Sequence, residues 1–249
     1  MSQTESVRLS KRLAEQQSCS RREAELYIEA GHVQVDGQVV LLPGTHIAPD
    51  QEVRLAPGAK AEAIPPVTLL LHKPAGTTQG EAYGRVLSAR SLLTEANLAE
   101  YDTPAPVRVL SRHFDDQLAF LPIPVPASGL VIYTQDPRIA RKLQEDAYAL
   151  EQECVVGVKG QIVEGGLQRL CKGGIIIDRH QPLPPAKVSW QNETHLRFAI
   201  KGFWPDKIAE ICAEVGLEVV SLRRLRVGRV SMAKLPEGQW RYLLPWEKF

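Results

Sequence analysis

The stretch "SCSRREAELYIEAGHVQVDGQVV", Ser18–Val40, decides the fold of the amino-terminal part of the chain. It opens with a capping box, in which the Ser20 hydroxyl accepts from the Glu23 backbone N–H while the Glu23 carboxylate reaches back. Gly31 suits the end of the helix that follows, because glycine adopts left-handed backbone angles without strain. Alternating residues then flank Asp36–Gly37, a pair typical of a tight hairpin turn. The stretch therefore predicts a helix followed by a β-hairpin.

The neighbouring residues extend this unit in both directions. Upstream, "VRLSKRLAEQQ" has apolar residues at helical spacing and predicts a first helix. Downstream, "QEVRL" predicts a third short strand. The stretch "APGAKAEAIPP" contains small residues and prolines without periodicity, which is typical of a linker. We therefore expect a compact first domain over residues 7–55, a linker over 56–66 and a second domain over 67–249.

Short strands dominate the predicted second domain. Its apolar runs predict strands at Val67–His72, Gly129–Thr134, Cys154–Val158, Lys187–Trp190, Leu196–Ile200 and Glu218–Leu222, and helices at Pro137–Asp146 and Pro205–Val215. The helices interrupt the strands instead of alternating regularly with them. This order favours an α+β fold, with a mixed sheet in the larger domain, over a doubly wound one.

Composition sets limits on the class of protein. The 249 residues can bury one large or two modest cores, and the formal net charge is only +1. Any affinity for nucleic acid must therefore come from local basic patches. The polar start lacks the apolar segment of a signal peptide, and no apolar run is long enough to cross a membrane. The four cysteines are scattered, so we expect no zinc site or disulfide framework, and a soluble cytoplasmic protein.

Basic residues cluster on the two predicted N-terminal helices. Arg8, Lys11 and Arg12 have helical spacing on the first helix, and Arg21 and Arg22 lie in the first turn of the second. Arginines at a helix N-terminus oppose the helix dipole, so an approaching anion such as an RNA phosphate would explain them. The alternative is a solvated surface on which nearby glutamates pair with these charges. The residues alone leave both interpretations open.

The whole N-terminal unit resembles the alpha-L RNA-binding domain, or S4 domain. The resemblance rests on "RLSKRLAE", on the serine-arginine-arginine turn, on the hairpin "IEAGHVQVDG" and on the later "PD". It implies binding to structured RNA through shape and backbone contacts. The residues that it implies as RNA contacts are Arg8, Lys11, Arg12, Ser20, Arg21 and Arg22.

The remainder of the chain resembles the ribosomal-RNA pseudouridine synthases that carry this module. "LLLHKPAG" matches the start of their catalytic domain, and "LPEGQWRYL" matches their final segment. The resemblance implies isomerisation of a flipped-out uridine without a metal or cofactor. The reaction needs a carboxylate near the sugar, an aromatic ring against the base and a cation that keeps the carboxylate ionised.

Three positions depart from that family's pattern. The family reads G-R-L-D where this chain has Leu121-Pro122-Ile123-Pro124, so Pro124 occupies the position of the catalytic aspartate. Cys154 occupies the position of the stacking tyrosine. Ala209 and Glu210 replace a pair of arginines, with Lys207 as the one base nearby. Because proline has no ionisable group, the sequence predicts a retained fold whose isomerase activity is lost or much reduced.

Two alternatives remain open at this point. A carboxylate from Asp115 or Asp116 could take the place of the missing aspartate and keep the enzyme active, although two acids between proline-rich stretches are typical of a solvated turn. The chain could also be an interaction scaffold on the ribosome. That role would make its basic residues incidental.

The C-terminal part adds further predicted RNA contacts. In "SLRRLRVGRVSM", strand alternation would place Arg224 and Arg226 on one face, where they could line an RNA groove. Lys73, in the "KPAG" segment, completes the set of predicted contacts. We expect a monomer that binds structured RNA, most readily ribosomal RNA, and that uses no membrane, metal or cofactor.

Overall fold

The structure is a computed structural model that describes residues 6–100, 108–177 and 182–249. The chain divides into two units. The described part of 1–66 together with 108–116 forms the first, and the described parts of 67–106 and 117–249 form the second. No helix in the described residues is long and apolar enough to span a membrane.

Two helices and short antiparallel strands build the first unit. Its elements are β1 (Val7–Arg8), α1 (Leu9–Gln17), α2 (Arg21–Glu29), β2 (Val33–Val35), β3 (Gln38–Val39), β4 (His46–Ile47) and β5 (Val53–Leu55). Strand β1 pairs with β4, and β2 lies between β3 and β5. The buried faces of both helices meet the strands around Leu9, Leu13, Ile28 and Val33, which forms one small core.

The predicted cap and hairpin of this unit are confirmed. Ser20 Oγ accepts from the Glu23 N–H at 3.2 Å, and the Ser20 N–H donates to the Glu23 carboxylate at 2.8 Å. The hairpin turn has Asp36 at φ 49° and Gly37 at φ 82°, which are the left-handed angles that a two-residue turn of this kind requires. The local sequence therefore determines this unit directly.

A mixed sheet organises the second unit. Its strands are β6 (Thr68–Lys73), β7 (Leu118–Phe120), β8 (Ser128–Thr134), β9 (Gln152–Gly160), β10 (Lys187–Asn192), β11 (His195–Ile200), β12 (Leu217–Val227), β13 (Val230–Ser231) and β14 (Trp240–Tyr242). Its helices are α3 (Pro137–Glu145), α4 (Gly166–Lys172) and α5 (Ile208–Ala213). The order across the sheet is β10-β11-β9-β12-β8-β6-β14, with β7 on β8 and β13 on β12.

Most neighbours in this sheet run antiparallel, but β12 and β8 run parallel at the centre. Helices and strands are interspersed without a regular βαβ repeat, so the predicted α+β class is confirmed. The long strand β12 is central because it contacts both β9 and β8. Its register places Arg224 opposite Cys154 on one side and opposite Gly129 on the other.

Candidate functional site

A tight loop leads into β8 at the position where the carboxylate was expected. The Ala127 N–H donates to the Pro124 carbonyl at 3.0 Å, which closes a turn, and Pro124 is half-buried. Leu121 begins the loop with φ 52°, a left-handed conformation that costs a branched residue about 1 kcal/mol. The resemblance implies glycine at this position. The backbone therefore has a conformation that suits glycine, although the side chain has changed.

Gly129 holds the start of β8 against β12. It has φ +113°, and a Cβ built on it would lie 2.3 Å from the Arg224 carbonyl oxygen and 2.5 Å from the Arg224 nitrogen. Only glycine permits so close an approach of the two backbones. The loop that contains Pro124 is thus attached directly to the strand that carries Arg224.

Lys73 is a buried ammonium beneath the same loop. Its Nζ donates to three backbone carbonyls, those of Pro74 at 3.0 Å, Thr77 at 2.6 Å and Val125 at 3.3 Å. Burial, assisted by the nearby positive charge of Arg224, lowers the pKa of Lys73 to about 8. The side chain is completely buried, so it joins the loop after β6 to the loop before β8.

Arg224 is a second buried cation at this point. Its Nε donates to the Leu130 carbonyl at 2.8 Å, and its Nη1 donates to Gln152 Oε1 at 2.8 Å. Nη2 has no hydrogen-bond partner among the described residues. Burial lowers the pKa of Arg224 to about 10. Two hydrogen bonds therefore orient the Arg224 guanidinium, and its third nitrogen has no hydrogen-bond partner among the described residues.

The described residues provide no carboxylate partner for either cation. Neither Lys73 nor Arg224 has an ion pair within 4.0 Å in the described parts of the chain. Glu153 lies on the neighbouring strand β9, but its carboxylate binds Arg197 at 2.6 Å and Arg226 at 3.2 Å. Within the described residues, the one carboxylate that acts on Lys73 from a distance is that of Glu237, and it forms no ion pair with Lys73.

Cys154 does not supply a substitute group. It is completely buried, and burial raises the pKa of its thiol to about 12. A neutral thiol is a poor nucleophile, and it has no ring that could stack on a base. Ala209 and Glu210 lie on α5, where Lys207 Nζ contacts Glu210 at 2.9 Å. The positive charge of Lys207 is therefore engaged with a carboxylate.

Asp115 and Asp116 belong to the first unit, whereas Pro124 belongs to the second. Their side chains are largely exposed, and they contact Arg112 at 3.5 and 3.6 Å. These contacts are those of a solvated turn around one arginine. Whether either carboxylate takes part in chemistry stays a prediction.

The predicted RNA contacts of the first unit lie largely at its surface. Arg8, Lys11, Ser20, Arg21 and Arg22 are exposed. Arg12 is half-buried and its guanidinium donates to the Pro49 carbonyl at 3.3 Å. Arg21 and Arg22 both approach Glu25, at 3.6 and 3.5 Å. Such exposed pairs contribute little to stability, so they can open when a phosphate arrives.

The expected arginine-lined face of the C-terminal strand is wrong. Arg224 is completely buried, and Arg226 binds the carboxylates of Glu151 and Glu153. The physical reason is that strand alternation places Arg224 on the same buried side as Leu222. The irregularity in the β12–β9 pairing comes only after Arg224 and separates Arg226 from that register. Lys73 is likewise buried. Neither Lys73 nor Arg224 reaches a surface that an RNA backbone could contact.

No sequence pattern predicted Gln152 and Gly129 as parts of this site. Gln152 is buried and orients Arg224, and Gly129 sets the distance between β8 and β12. A glycine at the start of an apolar strand is the one signal that could have indicated such a close approach. No local pattern predicts that a glutamine will meet an arginine 72 residues later.

The first unit is small and has exposed basic side chains, and the second is a mixed sheet that contains two buried cations. The sequence profile of the S4 domain matches residues 7–53.

Comparison with known proteins identifies the relatives of the chain. It is 29% identical over 229 residues to the putative ribosomal large subunit pseudouridine synthase SVR1 of Arabidopsis thaliana, covering 89% of this chain and 54% of that protein. It is 29% identical over 252 residues to ribosomal large subunit pseudouridine synthase B of Salmonella typhi, covering 94% of this chain and 78% of the relative. A crystal structure of a pseudouridylate synthase matches with a TM-score of 0.59 at 20% identity, covering 96% of both chains. The chain thus carries an S4 domain and is homologous to ribosomal-RNA pseudouridine synthases, whose fold it shares.

Proposed function

We propose that this protein binds structured ribosomal RNA through its S4 domain, and that its synthase-like domain has lost the isomerase activity or retains it only weakly. We propose the same division as the sequence analysis: the RNA-binding domain over 7–55, a linker over 56–66 and the synthase-like domain over 67–249. The homology supports RNA as the partner. The observation that carries the proposed loss of activity is that Lys73 and Arg224 are buried and form no ion pair with a carboxylate in the described parts of the chain.

The chemical argument concerns charge. Cleavage of the bond between sugar and base requires a group that can act as nucleophile or base and stay ionised beside a cation. Pro124 provides neither charge nor donor. The buried guanidinium of Arg224 has an unsatisfied Nη2 among the described residues. The buried arginine is retained although the aspartate is not, which supports a domain that has kept its fold and lost its isomerase activity.

A tritium-release assay tests the loss of activity. Ribosomal RNA labelled at carbon 5 of its uridines is incubated with the purified protein, and isomerisation releases the label as water. We expect release at the background level, with synthase B of Salmonella typhi as the positive control. Release at the rate of that control would contradict the proposed loss.

A second candidate function is an active synthase that uses Asp115 or Asp116. The names of the relatives favour it, since both are called pseudouridine synthases. If the assay detects release, the variant Asp115→Asn/Asp116→Asn tests whether either of these two aspartates supplies the catalytic carboxylate. Complete loss of release in this variant would support the relocated acid, and unchanged release would refute it.

Charge reversal tests the RNA-binding part of the proposal. We expect Arg21→Glu/Arg22→Glu to weaken binding to ribosomal RNA and to flatten the dependence of log K on log salt concentration, because fewer counterions are released. The matched control is Arg54→Glu/Lys60→Glu, which reverses two exposed charges that also lie beside glutamates in the same unit. If the test variant and the control have equal affinity and equal salt slopes, the proposed S4 contact is wrong.

A further inference from the structure

An exposed aromatic pair in the second unit has no part in the site described above. The rings of Tyr148 and Trp204 meet edge to face, with centroids 5.3 Å apart and an interplanar angle of 61°. Trp204 Nε1 donates to the Tyr148 hydroxyl at 3.1 Å, and the Gly202 N–H donates to the Tyr148 carbonyl at 2.9 Å. The tyrosine is therefore held by both its backbone and its hydroxyl.

Burial differs between the two rings. Trp204 is half-buried and packs against an apolar core of the second unit, whereas Tyr148 is 60% exposed. An exposed ring that is already ordered loses little conformational entropy when a flat ligand stacks on it. The core-packed tryptophan thus supports a tyrosine whose ring is available to a partner.

Two exposed cations flank this pair: Lys201 lies on the segment that carries Trp204, and Arg229 lies in the turn after β12, next to the segment that follows Tyr148. Lys201 precedes Trp204 by three residues, and it forms no ion pair within 4.0 Å in the described parts of the chain. Arg229 follows Gly228, whose N–H donates to the Glu151 carbonyl at 2.8 Å and which lies against Leu150. Arg229 is exposed and likewise has no ion pair among the described residues.

The acids near this pair contact basic side chains. Asp146 contacts Lys142 at 2.5 Å, and Glu151 contacts Arg226 at 2.6 Å. Asp206 and Glu210 share Lys207, so these two acids leave one negative charge over. Lys201 and Arg229 outweigh it, and the local surplus charge is positive.

We propose that Tyr148, Trp204, Lys201 and Arg229 form an aromatic-basic patch that binds single-stranded RNA. A base stacks on the Tyr148 ring, and the two cations contact the phosphates on either side of it. A protein partner would use the rings but would have no general need for two unpaired cations. The inference rests on the proposed function only in taking RNA as the partner, since it concerns a different surface from the S4 domain.

Binding of a fluorescein-labelled oligouridylate of ten nucleotides tests the patch. We expect Tyr148→Ala to weaken binding by about fivefold to a hundredfold, the range for loss of one stacked base. Tyr148→Phe keeps the ring and should retain most of the affinity. Tyr83→Ala removes a ring that is 58% exposed elsewhere in the same unit, and it serves as the matched control. Equal affinities for Tyr148→Ala and Tyr83→Ala would overturn the proposal.

The cations provide a second measurement that does not depend on the ring. We expect Lys201→Glu/Arg229→Glu to reduce both the affinity for the decamer and the salt slope, and unchanged values would also overturn the proposal. Ribosomal RNA binding by Arg21→Glu/Arg22→Glu is measured in parallel. If only that variant loses RNA binding, the patch is wrong and the proposed S4 function stands. If only the patch variants lose binding, the patch stands and the S4 contact is wrong.

Discussion

The single buried charge of Lys73 makes the stability of this protein depend on pH. Its ammonium donates to three carbonyls but has no carboxylate partner among the described residues. Hydrogen bonds to neutral oxygens compensate only in part for the loss of water around a charge. The folded state therefore binds this proton less tightly than the unfolded state does.

The sign of the resulting pH dependence follows from the depressed pKa. Lys73 has a pKa of about 8 in the folded protein and the ordinary value of 10.5 when unfolded. Between these values the unfolded state carries more protons, so stability rises with pH across this window, and the cost of burying the charge is present in full below it. We expect the free energy of unfolding to rise by at most about 3 kcal/mol between pH 8 and 10.5 relative to Lys73→Met. Urea denaturation measures it, and equal pH slopes in both proteins would contradict the assignment.

The candidate site was only partly predictable at the residue scale. The sequence places proline at position 124 and cysteine at 154, and the structure finds no acid beside the two cations in the described residues. The sequence could not indicate that Lys73 and Arg224 are those cations. Both are long and charged, and such residues are almost always exposed, so the general rule pointed to the surface.

The central elements of the second unit depend on one close backbone approach. Strands β8 and β12 pair in parallel over Ser128 and Gly129, and Gly129 has the positive φ that glycine tolerates. This pairing joins the loop of Pro124 to the strand of Arg224. The geometry of the site therefore depends on a contact between elements that are separated by some 90 residues in the chain.

Substitution of Gly129 tests this element contact. We expect Gly129→Ala to destabilise the second unit by more than about 3 kcal/mol, because the Cβ would collide with backbone atoms and the backbone angle would be strained. Gly80→Ala is the matched control, since a Cβ there meets nothing within 4 Å. Chemical denaturation provides the comparison. A loss of stability no larger than that of the control would show that β8 and β12 are not held so closely.

Most elements were predicted from their periodicity, and the errors have local causes. Strand β12 was expected at Glu218–Leu222 but extends over Leu217–Val227, because its arginine-rich half does not have the composition of a buried strand. The helix α4 was not predicted, since Gly165 and Gly166 at its start are residues that normally interrupt helices. The predicted second helix of this unit begins with one turn of 3-10 helix, Pro205–Lys207, before α5.

At the scale of the whole molecule, the chain shares the fold of a pseudouridylate synthase, and Pro124 occupies the position where the resemblance implies the catalytic aspartate. If the missing carboxylate is the main defect, restoring it should restore part of the chemistry. We expect Pro124→Asp to raise tritium release about tenfold to a hundredfold over the wild type, within the range that such a group contributes. The rate should stay below that of an intact synthase because Cys154 offers no ring.

The control for this experiment is Pro124→Asn, which also removes the proline but provides no charge. It should remain at the background level. Both variants must unfold at denaturant concentrations similar to the wild type for the comparison to hold. Equal release from the aspartate and asparagine variants would show that a carboxylate at this position is not what the site lacks.

The sequence by itself determined the S4 unit, since its cap, its hairpin turn and its apolar spacing all act between residues close together in the chain. It also determined the α+β class and the absence of an acid at Pro124. The tertiary structure alone decided which charges are buried, because burial of Lys73 and Arg224 depends on how β6, β8, β9 and β12 pair. It alone brought Tyr148 and Trp204 together from positions 56 residues apart. Contacts of this kind follow from packing between distant elements, and no local pattern encodes them.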